Sequence, residues 1–141
     1  MALAVAFVGL AAAGLSSTAA GVGPASTWGV SARVVGAPLW PGVGSQTVHY
    51  TITNNTDMYQ HLTSTGTSIR NDGTDVIDAG TNRAVIGCST TWFTLTDSPV
   101  VSADLGQHAQ ANGSATIVML DVPVNEDACK GVQPSITVSV R

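Results

Sequence analysis

The side chains best suited to acid–base catalysis or metal binding are three histidines, His49, His61 and His108. Their spacing matches neither H-x-H nor H-E-x-x-H, so the sequence encodes no local metal site. The chain also lacks G-x-S-x-G, the nucleophile elbow of many esterases and peptidases. We therefore predict that the protein is not an enzyme, has no catalytic residues and uses no cofactor. One alternative stays open, because folding could bring His49 beside an acid on a neighbouring strand.

A second group of candidate ligands lies in N-D-G-T-D-V-I-D-A-G, where Asp72, Asp75 and Asp78 follow one another at a spacing of three. An EF-hand loop places its first ligands at every second position, and this segment does not. We predict no metal site here. A Ca²⁺ site at the three carboxylates is the minor alternative to a solvated loop.

The chain contains two cysteines, Cys88 and Cys129, and the second lies in V-N-E-D-A-C-K-G-V. In an exported protein such a pair predicts one disulfide, since two cysteines alone make no zinc site and there is no C-x-x-C. Closing a loop of about 41 residues is worth roughly 4 kcal/mol in lost chain entropy. The residues beside Cys129 favour a structural turn that directs this cysteine toward Cys88 and then leads into the last strand: Asn125, Glu126, Asp127 and Gly131.

The composition favours an extracellular all-β domain. Charged residues make up 10% of the chain, where about 25% is usual for a soluble domain. Thr, Ser, Gly, Ala and Val replace them, as is typical of strands joined by neutral polar loops. The net charge is −4 and the few basic residues are scattered, which argues against a nucleic-acid partner: Arg33, Arg70, Arg83, Lys130 and Arg141.

The first twenty residues form an uncharged, Ala-rich segment, M-A-L-A-V-A-F-V-G-L-A-A-A-G-L-S-S-T-A-A. As a helix, the apolar run 2–15 would span about 21 Å, which is too short for the roughly 30 Å core of a bilayer. We predict a secretory signal over 1–20 that is cut after Ala20, although no Lys or Arg precedes the apolar run. The alternatives are a retained anchor or assembly segment, helical and contacting the membrane through residues 2–15, and a helix buried in the domain.

Alternating apolar and polar residues predict short strands from residue 28 onward. Trp28, Val30, Ala32 and Val34 share one face, Val48, Tyr50 and Ile52 share another, and so do Ile136, Val138 and Val140. N-D-G at 71–73 predicts a hairpin turn, and 75–83 resembles a loop. About seven such strands predict an immunoglobulin-like two-sheet antiparallel β-sandwich over 28–141, after a small-residue linker at 21–27.

Three aromatic residues are candidates for partner contact: Trp28, Trp92 and Phe93. Trp92 and Phe93 are adjacent, and neighbours on a strand point to opposite faces. We predict that Trp92 lies in the core and that Phe93 points outward.

Four segments resemble a family of small secreted proteins of high-GC Gram-positive bacteria. They are N-E-D-A-C-K-G at 125–131, V-H-Y-T-I-T-N-N after the turn at Pro41–Gly42, G-C-S-T-T-W-F-T-L-T at 87–96, and the final T-V-S-V. Together they cover about residues 38–140. The resemblance implies export and a single Ig-like sandwich after an Ala-rich segment, in a family whose function is mostly unknown. This chain departs from it in lacking basic residues before the apolar run.

Two functions fit these observations. The first is a non-enzymatic extracellular or cell-surface structural or interaction domain with a protein or cell-surface partner. The second is a subunit of an extracellular fibre or pilus-like filament, in which the N-terminal segment of one copy adds a strand to the next. A hydrolase would be the third, but no group of residues supports it.

Overall fold

The computed structural model describes residues 4–8, 17–18 and 27–141, which form an all-β molecule. Its strands are β1 Ala4–Val8, β2 Ser17–Thr18, β3 Trp28–Val35, β4 Gln46–Asn54, β5 Gln60–Ile69, β6 Asn71–Asp72, β7 Asp75–Asp78, β8 Arg83–Ser89, β9 Phe93–Ser98, β10 Val101–Leu105, β11 Gln110–Met119 and β12 Ile136–Val140. Single turns of 3₁₀-helix lie at Thr90–Trp92 and Asp127–Cys129. Across these described ranges, no helix has the length and apolar character needed to cross a membrane.

Two antiparallel sheets face each other across one core, which confirms the predicted all-β sandwich. One sheet has the order β2-β3-β4-β11-β9 and the other β1-β12-β5-β10. Their facing sides bury the side chains of the core, and a small sheet of β6, β7 and β8 lies beside them.

The strand faces that the alternating pattern predicted to be buried point into the core. Along β4, every second residue from Gln46 to Asn54 is buried, while His49 is exposed. The inward faces of β3 and β12 are also those predicted, with Val138 and Val140 fully buried. Burial of these β-branched side chains supplies much of the driving force for folding, about 1.5–3 kcal/mol for each large apolar side chain.

The segment 75–83 differs from the predicted loop. Asp75–Asp78 is a strand that pairs with β6 and β8, and its own residue Val76 is fully buried. The hairpin turn predicted at 71–73 is present, with Gly73 at a φ of 60° between β6 and β7. Two apolar residues in D-V-I-D were too few to show an alternating pattern, which is why the strand was missed.

The chain from β9 to β10 crosses from one sheet to the other. β9 pairs with β11, and after Pro99 the strand β10 pairs with β5 of the opposite sheet. Two hydrogen bonds hold this crossing: the Thr67 N–H donates to Asp97 Oδ2 at 2.9 Å, and the Val100 N–H donates to Thr65 Oγ1 at 2.9 Å. The crossing strand therefore ties the two sheets together at one side.

Tyr50 lies against this crossing. Its hydroxyl is 2.8 Å from Thr65 Oγ1 and donates to Asp97 Oδ1 at 3.5 Å. Burial raises the pKa of Tyr50, and the nearby Asp97 carboxylate adds to the effect. The ring lies across Gly113 of the paired strand, where a Cβ atom would come within 2.3 Å of Tyr50 Cζ. A residue larger than glycine at 113 would have to displace the ring.

The N-terminal segment forms strands where it is described, and the helix expected for a retained segment is wrong there. Ala4–Val8 pairs antiparallel with β12, from Ala4 opposite Val140 to Val8 opposite Ile136. Ser17–Thr18 pairs with Ala32 and Ser31 of β3. A strand pairs with the backbone N–H and C=O groups along the outer edge of β12. A helix at residues 4–8 would leave those groups of β12 unpaired. Residues 1–3, 9–16 and 19–26, which include the expected cleavage position and most of the linker 21–27, lie outside the described residues.

Candidate interaction surface

The predicted disulfide is present and lies at one end of the sandwich. Cys88 of β8 and Cys129 of the second 3₁₀ turn are bonded, with their Cα atoms 4.9 Å apart and both side chains fully buried. The bond joins the small sheet β6–β8 to the segment between β11 and β12. A covalent tie of this kind stabilises the fold mainly by restricting the unfolded chain.

The residues around Cys129 form the turn that the sequence predicted. Asn125 Oδ1 accepts a hydrogen bond from the Asp127 N–H at 2.9 Å, and the Lys130 ammonium pairs with Asp127. Gly131 has a φ of 75°, and its N–H donates to the Leu39 carbonyl at 2.9 Å. The turn thus anchors the β3–β4 connection as well as aiming the cysteine.

Glu126 differs from its neighbours in this turn because it is buried. Its side chain is 6% exposed, and Oε2 accepts the Val122 N–H at 3.3 Å. Oε1 has no hydrogen-bond partner in the described part of the chain. Nothing in the sequence distinguished this acid from the exposed Asp127 beside it.

Exposed apolar side chains gather at the same end as the disulfide. The Gly42 N–H donates to the Met119 carbonyl at 3.1 Å, and the Leu120 N–H donates to the Trp92 carbonyl at 2.8 Å, so three connections meet here. We call the large apolar side chains that they expose the apolar end: Trp40, Val43, Leu120 and Val124. Trp40 is 49% exposed and Val43 is 65% exposed.

The three aromatic candidates do not form an exposed contact surface. Trp28 and Phe93 are buried at 7% and 8% exposure, so neither is a surface contact residue. Trp92 is half-buried and packs against the rim of the core. The prediction that Phe93 points outward is wrong, because Trp92 ends a 3₁₀ turn and only Phe93 begins the strand. The rule of opposite faces applies only within a strand.

The histidines do not meet in one site. His49 lies on β4 opposite Arg33 and Ser114, so the acid imagined beside it is absent from those positions. His61 Nδ1 is 2.6 Å from Asp104 Oδ1 on the neighbouring strand, and His108 Nε2 is 3.3 Å from Asp57 Oδ1. Both pairs are on the surface, where the side chains are more than half exposed. Sequence spacing could not reveal pairs formed across 43 and 51 residues.

The three candidate calcium ligands are used differently from one another. Asp78 accepts hydrogen bonds from the Thr81 N–H through Oδ2 and from the Gln133 N–H through Oδ1. Asp75 accepts the Gly87 N–H at 3.1 Å, whereas Asp72 is exposed. Within the described ranges, no three His, Cys, Asp or Glu side chains come together as a metal site would require. Asp75 and Asp78 thus fix the backbone of the small sheet.

Comparison of the chain with protein-family models, with curated proteins and with solved structures finds no match. The resemblance to small secreted proteins of high-GC Gram-positive bacteria therefore stays a prediction.

Proposed function

We propose that the protein is a non-enzymatic structural or interaction domain that works outside the cytoplasm, secreted or at the cell surface. The buried Cys88–Cys129 disulfide supports the compartment, since such bonds form and persist mainly in oxidising environments. The low share of charged residues agrees with a domain exposed to the medium or held at a surface.

The observation that carries the interaction role is the apolar end. Trp40 and Val43 stand in one connection, Leu120 and Val124 in another, and backbone hydrogen bonds hold the two connections together. An exposed patch of large apolar side chains typically marks a contact surface, and these adjoining connections carry four such side chains. Aromatic residues of this kind are enriched where proteins bind one another. The partner is a protein or a cell-surface component, and the protein partner can be another copy of this chain.

The described histidine–acid pairs support the absence of catalysis. In most active sites the general base and the group that tunes it lie in a concave pocket beside the substrate. His61–Asp104 and His108–Asp57 sit on an open surface instead.

The test removes two of the four side chains of the apolar end, Trp40 and Val43, without changing a core residue. We expect the variant Trp40→Ala, Val43→Ser to lose most of its binding to intact cells of its source organism, measured by flow cytometry with fluorescently labelled, oxidised protein. The matched control is Tyr59→Ala, because Tyr59 is 83% exposed and lies beside Gly106 in other connections. It should bind as wild type does. Equal binding by all three proteins, with equal unfolding free energies, would contradict the proposed surface.

A further inference from the structure

The outer edge of β12 is covered by a strand that lies far away in the sequence. β12 reads I-T-V-S-V and contains neither a charged residue nor a proline. Natural proteins protect such edges with charges, prolines or bulges, because a flat, β-branched edge readily pairs with another chain. Here the only protection in the described structure is the strand Ala4–Val8, which covers all five residues of β12 in one antiparallel register.

The covering strand is joined to its own domain by a long connection. The 19 residues 9–27 separate Val8 from Trp28. Nineteen residues can reach about 65 Å when extended. A domain of this size has a radius of gyration of roughly 13 Å. Ser17 and Thr18 lie within this connection and pair with β3 of the same chain, so the strand reaches the β12 edge of a neighbouring molecule once this two-residue pairing is released.

We propose that the β12 edge is a strand-acceptor site and that its occupant in assemblies is the Ala4–Val8 strand of a second copy. The register seen within one chain is kept between chains, because the same residues meet and only their chain of origin differs. Each copy then donates one strand and accepts one, a head-to-tail arrangement that extends into a filament unless it closes into a ring. This inference rests on the proposed function and names its partner as the protein itself. It takes the retained assembly segment, and not cleavage after Ala20, as the fate of residues 1–20.

Cross-linking between two differently marked full-length chains tests the site. The donor carries Val5→Cys. The acceptor carries Ser139→Cys together with Val5→Pro and Ala6→Pro, which disable its own strand. Neighbouring amides of a strand point to opposite sides, so replacing both residues removes at least one N–H that faces β12. Val5 lies directly opposite Ser139 in the register, so cysteines at the two positions are cross-strand neighbours.

We expect the mixed chains to form a covalent heterodimer under mild oxidation. The register control is an acceptor with Thr137→Cys in place of Ser139→Cys, since Thr137 lies opposite Phe7 and only diagonal to Val5. This control should cross-link several-fold less. The native Cys88–Cys129 bond is buried and does not compete for the new thiols.

Equal cross-linking at both positions would overturn the proposal, since it would indicate unspecific association of edges. Cross-linking within a single chain that carries both Val5→Cys and Ser139→Cys, with none between chains, would also overturn it by limiting the strand to its own domain. So would mass spectrometry of exported protein that always begins near Gly21, because the donor strand would then be missing. None of these results would affect binding through the apolar end, so a failure of this inference is distinguishable from a failure of the proposed function. Each acceptor chain must first show a wild-type unfolding transition of its sandwich.

Discussion

Tyr50 shows how much one side chain in this fold depends on distant residues. Its place on the inward face of β4 follows from the alternation of V-H-Y-T-I. Its hydrogen-bond partners, Thr65 and Asp97, lie 15 and 47 residues further along the chain, and no local pattern connects them. The space for its ring comes from Gly113, whose lack of a side chain had no visible purpose in the sequence.

At the residue scale, Tyr50→Phe should lower the unfolding free energy at neutral pH by about 0.5–1.5 kcal/mol, because a buried hydrogen bond is lost. It should also reduce the loss of stability in alkali. Unfolded tyrosine ionises near pH 10, and the folded protein holds the Tyr50 proton to higher pH because burial raises its pKa. The contribution of Tyr50 is therefore fully present below about pH 10 and falls as the pH rises from there toward the folded pKa.

Urea unfolding across this pH range measures both effects. Tyr59→Phe is the control, since Tyr59 is 83% exposed, and it should retain the wild-type profile. An unchanged alkaline loss in Tyr50→Phe would show that another group causes it.

At the scale of elements, the disulfide connects the small sheet β6–β8 to the segment between β11 and β12. The small sheet β6–β8 contributes Val76, Ala79 and Cys88 to the core, while Ile86 on the same sheet is 79% exposed. The second 3₁₀ turn reaches it through Cys129 and through the close approach of Ala128 to Gly87. A small three-stranded sheet of this kind has little stability of its own.

Removing the bond with Cys129→Ala should lower the unfolding free energy by about 2–5 kcal/mol, as for native disulfides of small secreted domains. Reductant should produce a similar loss in the wild type. The double variant Cys88→Ala, Cys129→Ala serves as the control, because reductant should leave it unchanged. Two reactive thiols in the native, exported protein would refute the disulfide and weaken the assignment of the compartment.

For the whole molecule, the sequence was informative wherever a strand alternates over five or more residues. The inward faces of β3, β4 and β12 could be predicted because each buries every second side chain. The apolar end could not, because Trp40 and Leu120 are 80 residues apart and apolar residues are expected inside. The pairing of Ala4–Val8 with β12 was missed for a similar reason, since an uncharged Ala-rich segment has the pattern of an export signal.

At the scale of the whole molecule, we also predict that the protein has no enzymatic activity. The oxidised, exported protein should give background rates with peptide, ester and glycoside substrates, with or without Zn²⁺ or Ca²⁺. His49→Ala, His61→Ala and His108→Ala should leave those rates as they are, because the described histidines lie apart on an open surface. Turnover above background that one of these substitutions abolishes, with stability retained, would show that the protein is an enzyme.

The Cys88–Cys129 bond also determines how the domain would respond to mechanical force. A pull applied through the two ends of the chain passes directly from residue 88 to residue 129, and the segment between them bears no load. That segment contains β9, β10 and β11, including the strand that crosses between the sheets. With a sequence separation of 41 residues, the bond withholds roughly 140 Å of contour length from extension. A molecule stretched at a cell surface would therefore extend less than its sequence allows. When the force is released, about a third of the domain would refold from a loop that the disulfide has kept closed.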